Sequence, residues 1–409
     1  MTIAVVGAGV VGMACARALQ RAGQQVVVLD PELPGAGCSH GNAGVIAVDH
    51  VLPLARPDVL RGLPAMLGDP DSPLYLKPTR VPGLAGWMLR MAWASRPAAV
   101  ERGSIALANL VRGAVSAWIE ELESCAAGEL LVRAGSYLAY ETPRHYAKGK
   151  IQRRVMRERG VAAQDLHGRE VAARLPALAP VYRGLYHPDT AHVLNPRRLV
   201  ETLATAFCAA GGTLHTRRVE RLSMNETGVT LTAQNWRLDA SRVVIAAGWR
   251  SAELCAPLGC TVPLAVEMGY HVGFDPVDGL AAPVAIAGRG FMATPLDGEL
   301  RIAGTVEFAR AEAAPDWRRT DILERQARRL FGPVLSPLRN RWRGSRPTLP
   351  DFLPAIGPLR HGSMVYAAFG HHHIGLTTAA VTGQLICDAV LGRQPRFDPA
   401  PFSPDRFHR

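Results

Sequence analysis

The chain has 409 residues, 48% hydrophobic and 20% charged, a globular composition that excludes a disordered chain and has the length for about two domains. Its 46 Lys+Arg against 35 Asp+Glu leave a net charge of +11. Nearly all of that excess is arginine, placed singly or in pairs with no basic block and no basic helix face, so a nucleic-acid partner is not expected. Seven cysteines at irregular spacings argue against a disulfide framework and for a reducing compartment, and no metal-ligand spacing is present. No apolar run approaches the ~18 to 20 residues that span a bilayer, and the N-terminal run has no basic leader.

Thr2-Ile3-Ala4-Val5-Val6 leads into Gly7-Ala8-Gly9-Val10-Val11-Gly12, then a small-residue helix to Arg21, then Gln25 to Asp30. A strand, GxGxxG, a helix and a second strand closed by an acid predict a complete βαβ dinucleotide-binding unit. Gly7 allows the tight turn, Gly9 leaves room for a pyrophosphate, and Gly12 lets the helix lie close on the sheet. The helix N-terminus offers N–H groups to phosphate. Asp30 suits ribose hydroxyls and repels the 2′-phosphate of NADP. This unit alone leaves FAD and NAD both open. Pro31 to Gly44 carries four glycines and two prolines, which predicts a loop lining the nucleotide, with Ser39 and Asn42 as its polar groups.

The Pro-dense stretch from 50 to 100 predicts short helices and turns. Within it Leu84, Trp87, Met88, Met91 and Ala92 form an apolar stripe for the core, or for a membrane interface. Ile105 to Ala127 reads as one helix, Leu131 to Tyr140 as strands, and Lys148 to Arg159 as an exposed helix. Asn195 caps a helix that runs to Ala210, and Thr213 opens a strand reaching Val219. Arg242 to Ala246 is a buried parallel strand ending at Ala247-Gly248, so the chain returns there to the nucleotide sheet. The strands of 262–272, 291–295 and 300–306 predict a second, mixed sheet, followed by a helix from Asp321 to Phe331.

Arg343 to Pro358 contains prolines that hold an extended, rigid backbone, and Arg346 is the residue so held. Its guanidinium fork suits a substrate carboxylate, the alternative being an ion pair with Asp351. Met364 to Phe369 is a strand, and Gly370-His371-His372-His373-Ile374-Gly375-Leu376-Thr377 turns into a helix to about Leu391. Three successive histidines diverge too much to ligate one metal, and no metal is expected. The helix start is better suited to stabilising negative charge.

The GxGxxG, the acid at Asp30, the Ser39-x-x-Asn42-Ala43-Gly44 loop, the Arg346-Pro347 run and the Gly370 turn together resemble the FAD-dependent D-amino-acid dehydrogenases of the D-amino-acid oxidase superfamily. Phe352 and His372 stand where those relatives frequently carry glycine. The resemblance implies an α/β fold: a Rossmann-like FAD-binding domain (1–48, 190–260 and 344–409) and a mixed α+β substrate domain (49–189 and 261–343). It implies FAD at Gly7, Ala8, Gly9, Val10, Val11, Gly12, Asp30, Pro31, Ser39, Asn42, Ala43, Gly44, Val219, Ala247, Gly248, Gly370, His372, His373, Ile374, Gly375, Leu376 and Thr377. It further implies substrate chemistry at Arg346, assisted by Tyr270, His271 and His372.

The expected reaction is oxidation of a D-amino acid or cyclic imino acid such as D-proline or D-hydroxyproline. Electrons pass to a quinone or another acceptor. The alternatives are a glycine or sarcosine-type amine oxidase and a flavin-holding subunit. A cytoplasmic chain is expected, with at most peripheral association at the inner membrane face through the Trp87 region or the basic surface. Oligomeric state, a homo-oligomer included, stays open.

Overall fold

A computed structural model describes residues 2–69, 71–360 and 362–408. Its first sheet has six strands in the order Thr213–Thr216, Gln25–Asp30, Thr2–Val6, Arg242–Ile245, Val365–Phe369 and Ala355–Pro358. All neighbours are parallel except the last pair. The chain winds outward in both directions from Thr2–Val6, so a crevice opens at the carboxyl ends of Thr2–Val6 and Arg242–Ile245, where such sheets bind ligands.

The central strands Thr2–Val6, Arg242–Ile245 and Val365–Phe369 are largely apolar because both faces are covered. Ile3 and Val5 pack under the first helix (Val10–Arg21) and the C-terminal helix (Gly375–Leu391). Ala4 and Val6 meet Leu222, Val229 and Leu231 of a small antiparallel sheet on the other side. Gly12 is what allows the first helix to lie so close: a Cβ there would come within 1.9 Å of the Gly7 carbonyl oxygen. The helix His372–Leu391 is long and apolar enough to cross a membrane by composition, but 72% of its apolar window is buried inside the protein. Burial on that scale marks it as a core helix.

A second sheet holds Asn340–Thr348, Ala265–Phe274, Glu299–Phe308, Phe291–Leu296, Val284–Ile286, Ser136–Tyr140, Arg183–His187 and Gln164–His167, with Leu74–Leu76 beside Glu299–Phe308. The helix Arg318–Phe331 closes its outer face through Leu323, Ala327 and Leu330.

Several expectations are corrected. The stretch expected as one helix from Ile105 to Ala127 is two, Pro97–Arg112 and Ala114–Glu123, broken at Gly113. The boundary expected at 344 falls inside the strand Asn340–Thr348, which pairs along its length with Ala265–Phe274. Arg343 to Thr348 is therefore held by a sheet ladder as well as by proline. Leu84, Trp87 and Met91 are core, packed with Ala265 and Phe352, and the Trp87 indole N–H donates to the Thr348 carbonyl at 3.3 Å. The outward face of that helix carries Leu89 and Trp93 instead.

Replacing Gly12 by alanine is expected to cost about 1–3 kcal/mol, the usual penalty of overpacking. Urea unfolding measures it; a midpoint equal to that of the parent chain would contradict the contact drawn here.

Candidate active site

A cavity of about 1620 Å³ follows the carboxyl ends of the first sheet and continues over the second. That volume exceeds the ~300–1,000 Å³ of a site for one small ligand. At one end Asp30, Pro31, Val219, Ala247 and Gly248 form its wall. The Asp30 carboxylate accepts the Ala8 amide at 2.7 Å on Oδ2 and the Glu32 amide at 2.9 Å on Oδ1. Burial raises its pKa and these amides oppose the rise. Each oxygen keeps a lone pair for a further donor.

Gly7, Gly9, Val10 and Val11 come next along the wall, while Ala8 and Gly12 lie behind it. A Cβ on Gly9 would meet only Ser39 Oγ, at 3.4 Å, so the cavity side of this turn has room for a phosphate. Ser39 Oγ accepts the Val10 amide at 3.0 Å. Asn42 donates to the Ser39 carbonyl and accepts the Gly44 amide, which makes it a brace of the Ser39–Gly44 loop. Arg301 clamps the same loop by donating to the carbonyls of His40 and Asn42. Ala43 and Gly44 line the cavity.

Arg346 stands in the middle of the cavity wall on the strand Asn340–Thr348, opposite Glu267. It does not pair with Asp351, whose carboxylate is taken by Arg406 at 2.7 Å. The guanidinium instead lies over Gly269. A Cβ there would be 2.2 Å from the Arg346 Cζ. Nη1 donates to the Thr305 carbonyl at 3.0 Å. That carbonyl is aimed by an irregularity: the pairing of Ala265–Phe274 with Glu299–Phe308 shifts register between Met268 and Tyr270, and Thr305 takes a left-handed φ of 55°. A β-branched residue pays roughly 1–3 kcal/mol for that conformation. Glu267 also lines the cavity; burial pushes its carboxyl up to about 7, against the lowering pull of Arg346.

Two residues expected beside the substrate are placed elsewhere. Tyr270 points to the other face of its strand, where its hydroxyl donates to Glu307 at 2.5 Å and accepts the Asp316 amide at 3.1 Å. His271 is buried against Trp342, rings 5.1 Å apart, with Nδ1 on the Gly41 carbonyl at 2.9 Å. Neither lines the cavity, so the fold does not bring them together with Arg346 there.

The His-rich turn does line it. Gly370 takes a φ of 80°, and His371 Nε2 bonds Thr382 Oγ1 at 3.0 Å in the interior. His372 has a φ of 38° and Phe352 one of 56°. The two residues standing at glycine positions thus both adopt the backbone glycine favours, and they hold each other: His372 Nε2 meets the Phe352 carbonyl at 2.9 Å. Burial pushes His371 and His372 down to about 3. Ile374, Gly375, Leu376 and Thr377 continue the wall. The Thr377 hydroxyl accepts the Ala47 amide at 3.0 Å and donates to the Val45 carbonyl at 3.3 Å, so its side chain ties the helix to the loop. Among the described residues no cluster of metal-ligating side chains is present.

Glu267, Gly269, Thr305 and His50, which lines the cavity with its ring 5.3 Å from that of His373, were missed as site residues. A lone acid in an apolar alternating strand was a usable signal for Glu267. The role of Gly269 depends on a neighbour 77 residues away; a glycine inside an alternating strand was a usable signal of a close approach, without naming what approaches.

The chain matches the family DAO, FAD dependent oxidoreductase, over residues 2–389. It is 32% identical to a D-amino-acid oxidase of Bradyrhizobium diazoefficiens, covering 99% of this chain and 98% of that one. It is 30% identical to D-amino acid dehydrogenase 2 of Ralstonia nicotianae, with 98% and 99% covered. In fold it is similar to the crystal structure of glycine oxidase from Geobacillus kaustophilus, with a TM-score of 0.77 at 23% identity over 98% of this chain and 97% of that one. The room at Gly9 and the length of the cavity fit a dinucleotide. The chain belongs to the DAO family of FAD-dependent oxidoreductases, and FAD is its cofactor.

Proposed function

We propose that the chain oxidises the Cα–N bond of a D-amino acid or a cyclic imino acid, of which D-proline and D-hydroxyproline are the first to test, to an imine that water then attacks. The observation that carries this reading is the Arg346 guanidinium, held on the cavity wall above Gly269 with Nη1 on the Thr305 carbonyl. No ion pair occupies it among the described residues. A fork so placed binds a carboxylate in a planar, two-bond pair and fixes both its distance and its rotation.

The cofactor would be held by Gly7, Gly9, Val10, Val11, Asp30, Pro31, Val219, Ala247 and Gly248 toward the adenosine and pyrophosphate, with Ala8 and Gly12 shaping that turn from behind, by Ser39 to Gly44 beside the pyrophosphate and flavin, and by Gly370 to Thr377 at the reacting end. When bound, FAD supplies the acceptor for the hydride that leaves Cα. Arg346 orients the substrate for that transfer, and orientation accounts for much of the rate. Glu267 tunes the arginine: neutral, it leaves the fork to the substrate, and ionised, it competes for it.

Electrons go on to a quinone or a similar acceptor. Oxygen is the second reading, supported by the similarity to a named oxidase, and stoichiometric peroxide from substrate in air would favour it. Our reading is a cytoplasmic chain with at most peripheral contact at the inner membrane face; exposed Leu89 and Trp93, with the Arg96 guanidinium 3.2 Å above the Trp93 ring, support such a contact.

Anaerobic addition of D-amino acids and proline derivatives to the yellow protein is expected to bleach it. If none does, the reading is wrong. Arg346→Lys should keep the flavin and lose roughly 10- to 100-fold in kcat/KM, matching the ~1.5–3 kcal/mol of a charged hydrogen bond. Unchanged turnover would place the substrate site on another chain.

Titration of the flavin spectrum with propionate tests Glu267. A carboxylate on Arg346 is repelled by an ionised Glu267, so affinity is expected to be highest at low pH and to fall as pH rises through about 7. In Glu267→Gln that fall should disappear; its persistence would assign it to another group.

A further inference from the structure

Resting on that reading, the hydrogen bonds of the His-rich turn determine which nitrogen of His373 is free. The Phe352 carbonyl can only accept, so the His372 Nε2 2.9 Å away from it must carry a proton. His372 is neutral, being held down to about 3 by burial. Its Nδ1 is therefore a lone pair. The partner of that lone pair is Nδ1 of His373, at 3.0 Å, which must then be the donor. What remains on His373 is an unprotonated Nε2 with no protein partner among the described residues, on a residue that opens onto the cavity.

The surroundings keep that nitrogen available. The groups facing His373 are His372 on its own turn, His50 with its ring 5.3 Å away and Asp49 beside it at 3.8 Å, and Arg346 on the strand Asn340–Thr348. Burial and the positive or titratable neighbours hold the imidazole well below its usual range. When a substrate carboxylate neutralises Arg346, one of those depressing influences is removed. That change favours a proton on His373, against the burial that holds the imidazole down.

We propose that His373 is the general base that takes a proton from the substrate ammonium, its acceptor nitrogen presented by a relay from the Phe352 carbonyl through His372. The N–H bond of the ammonium breaks and a bond from that proton to His373 Nε2 forms. The amine keeps the electron pair, which is what drives hydride from Cα. The proton leaves to cavity water when the product departs. His372 is a positioning residue in this scheme: it does not meet the substrate, and it sets the tautomer of the residue that does. Its left-handed backbone, and that of Phe352, are the strain the relay requires.

The test is the rate of anaerobic flavin reduction at saturating D-amino acid, followed by stopped flow from about pH 6 to 9. His373→Gln keeps an acceptor atom but cannot carry a proton. Near pH 7 it is expected to reduce about 10²-fold more slowly than the parent protein, within the usual range for a lost base. Its rate should then climb about tenfold per pH unit, because only amine already deprotonated in water can react. The parent protein should lack that slope.

His372→Gly fits the left-handed backbone without strain and so keeps the fold. It removes the relay and should acquire the same pH slope. Retained yellow colour and propionate binding show that each variant is intact. A parent-like profile in either variant, or the slope appearing in Glu267→Gln instead, would overturn the proposal. Failure of every D-amino and imino acid to bleach the parent protein would instead overturn the functional reading on which it rests.

Discussion

The site depends on one unusual contact, a guanidinium lying on a glycine. Arg346 can cross the strand to reach the Thr305 carbonyl only because Gly269 has no side chain in its path. The carbonyl is in reach only because Thr305 gives up regular strand geometry. Strain is stored in the sheet, and a cation is thereby fixed on the wall of a deep cavity. Burying a cation without a paired anion is unfavourable, which is why a free arginine in such a place points to an anionic ligand. Glu267, directly across the ladder, makes the charge of the site responsive to protons.

The adjoining turn, bridged to the Arg346 strand at Thr348 and His371, repeats the pattern with histidines. His372 and Phe352 each occupy backbone that glycine would adopt with less strain, at roughly 1–3 kcal/mol apiece. Their mutual hydrogen bond compensates in part. A pair of glycines would have been quieter, but would have left His373 without a fixed tautomer. Strand and turn line the same cavity, and in the proposed scheme Arg346 takes the carboxylate and His373 the ammonium of one zwitterion. The polar loop Ser39–Gly44 lines the same cavity and is held by Arg301 and by its own Asn42.

The nucleotide half was legible because its signals are local. Gly7, Gly9, Gly12 and Asp30 lie within one βαβ unit, and each has a steric or electrostatic reason readable from neighbours a few residues away. Arg346 was legible as a rigidly held cation, though the ladder that stiffens it comes from a strand nearly eighty residues earlier. Tyr270 and His271 were misplaced because alternation along a strand says that adjacent side chains face opposite ways without saying which way is inward. A bulge at Thr305 decides part of that question, and the one local sign of it is Gly304 inside the strand pattern. Trp87 was readable as either core or membrane face until the Thr348 carbonyl and Phe352 supplied its partners. Phe352 and His372 drew notice as departures from glycine, yet only three-dimensional proximity shows that the two departures are one feature.

The central claim is that Arg346 is kept free of protein carboxylates to receive one from the substrate. A crystal structure of the FAD-loaded protein with a non-oxidisable carboxylate bound tests it directly. The account predicts both carboxylate oxygens within hydrogen-bonding distance of the Arg346 fork, about 3 Å, above Gly269. A ligand bound elsewhere in the cavity, with Arg346 turned onto Glu267, would contradict it.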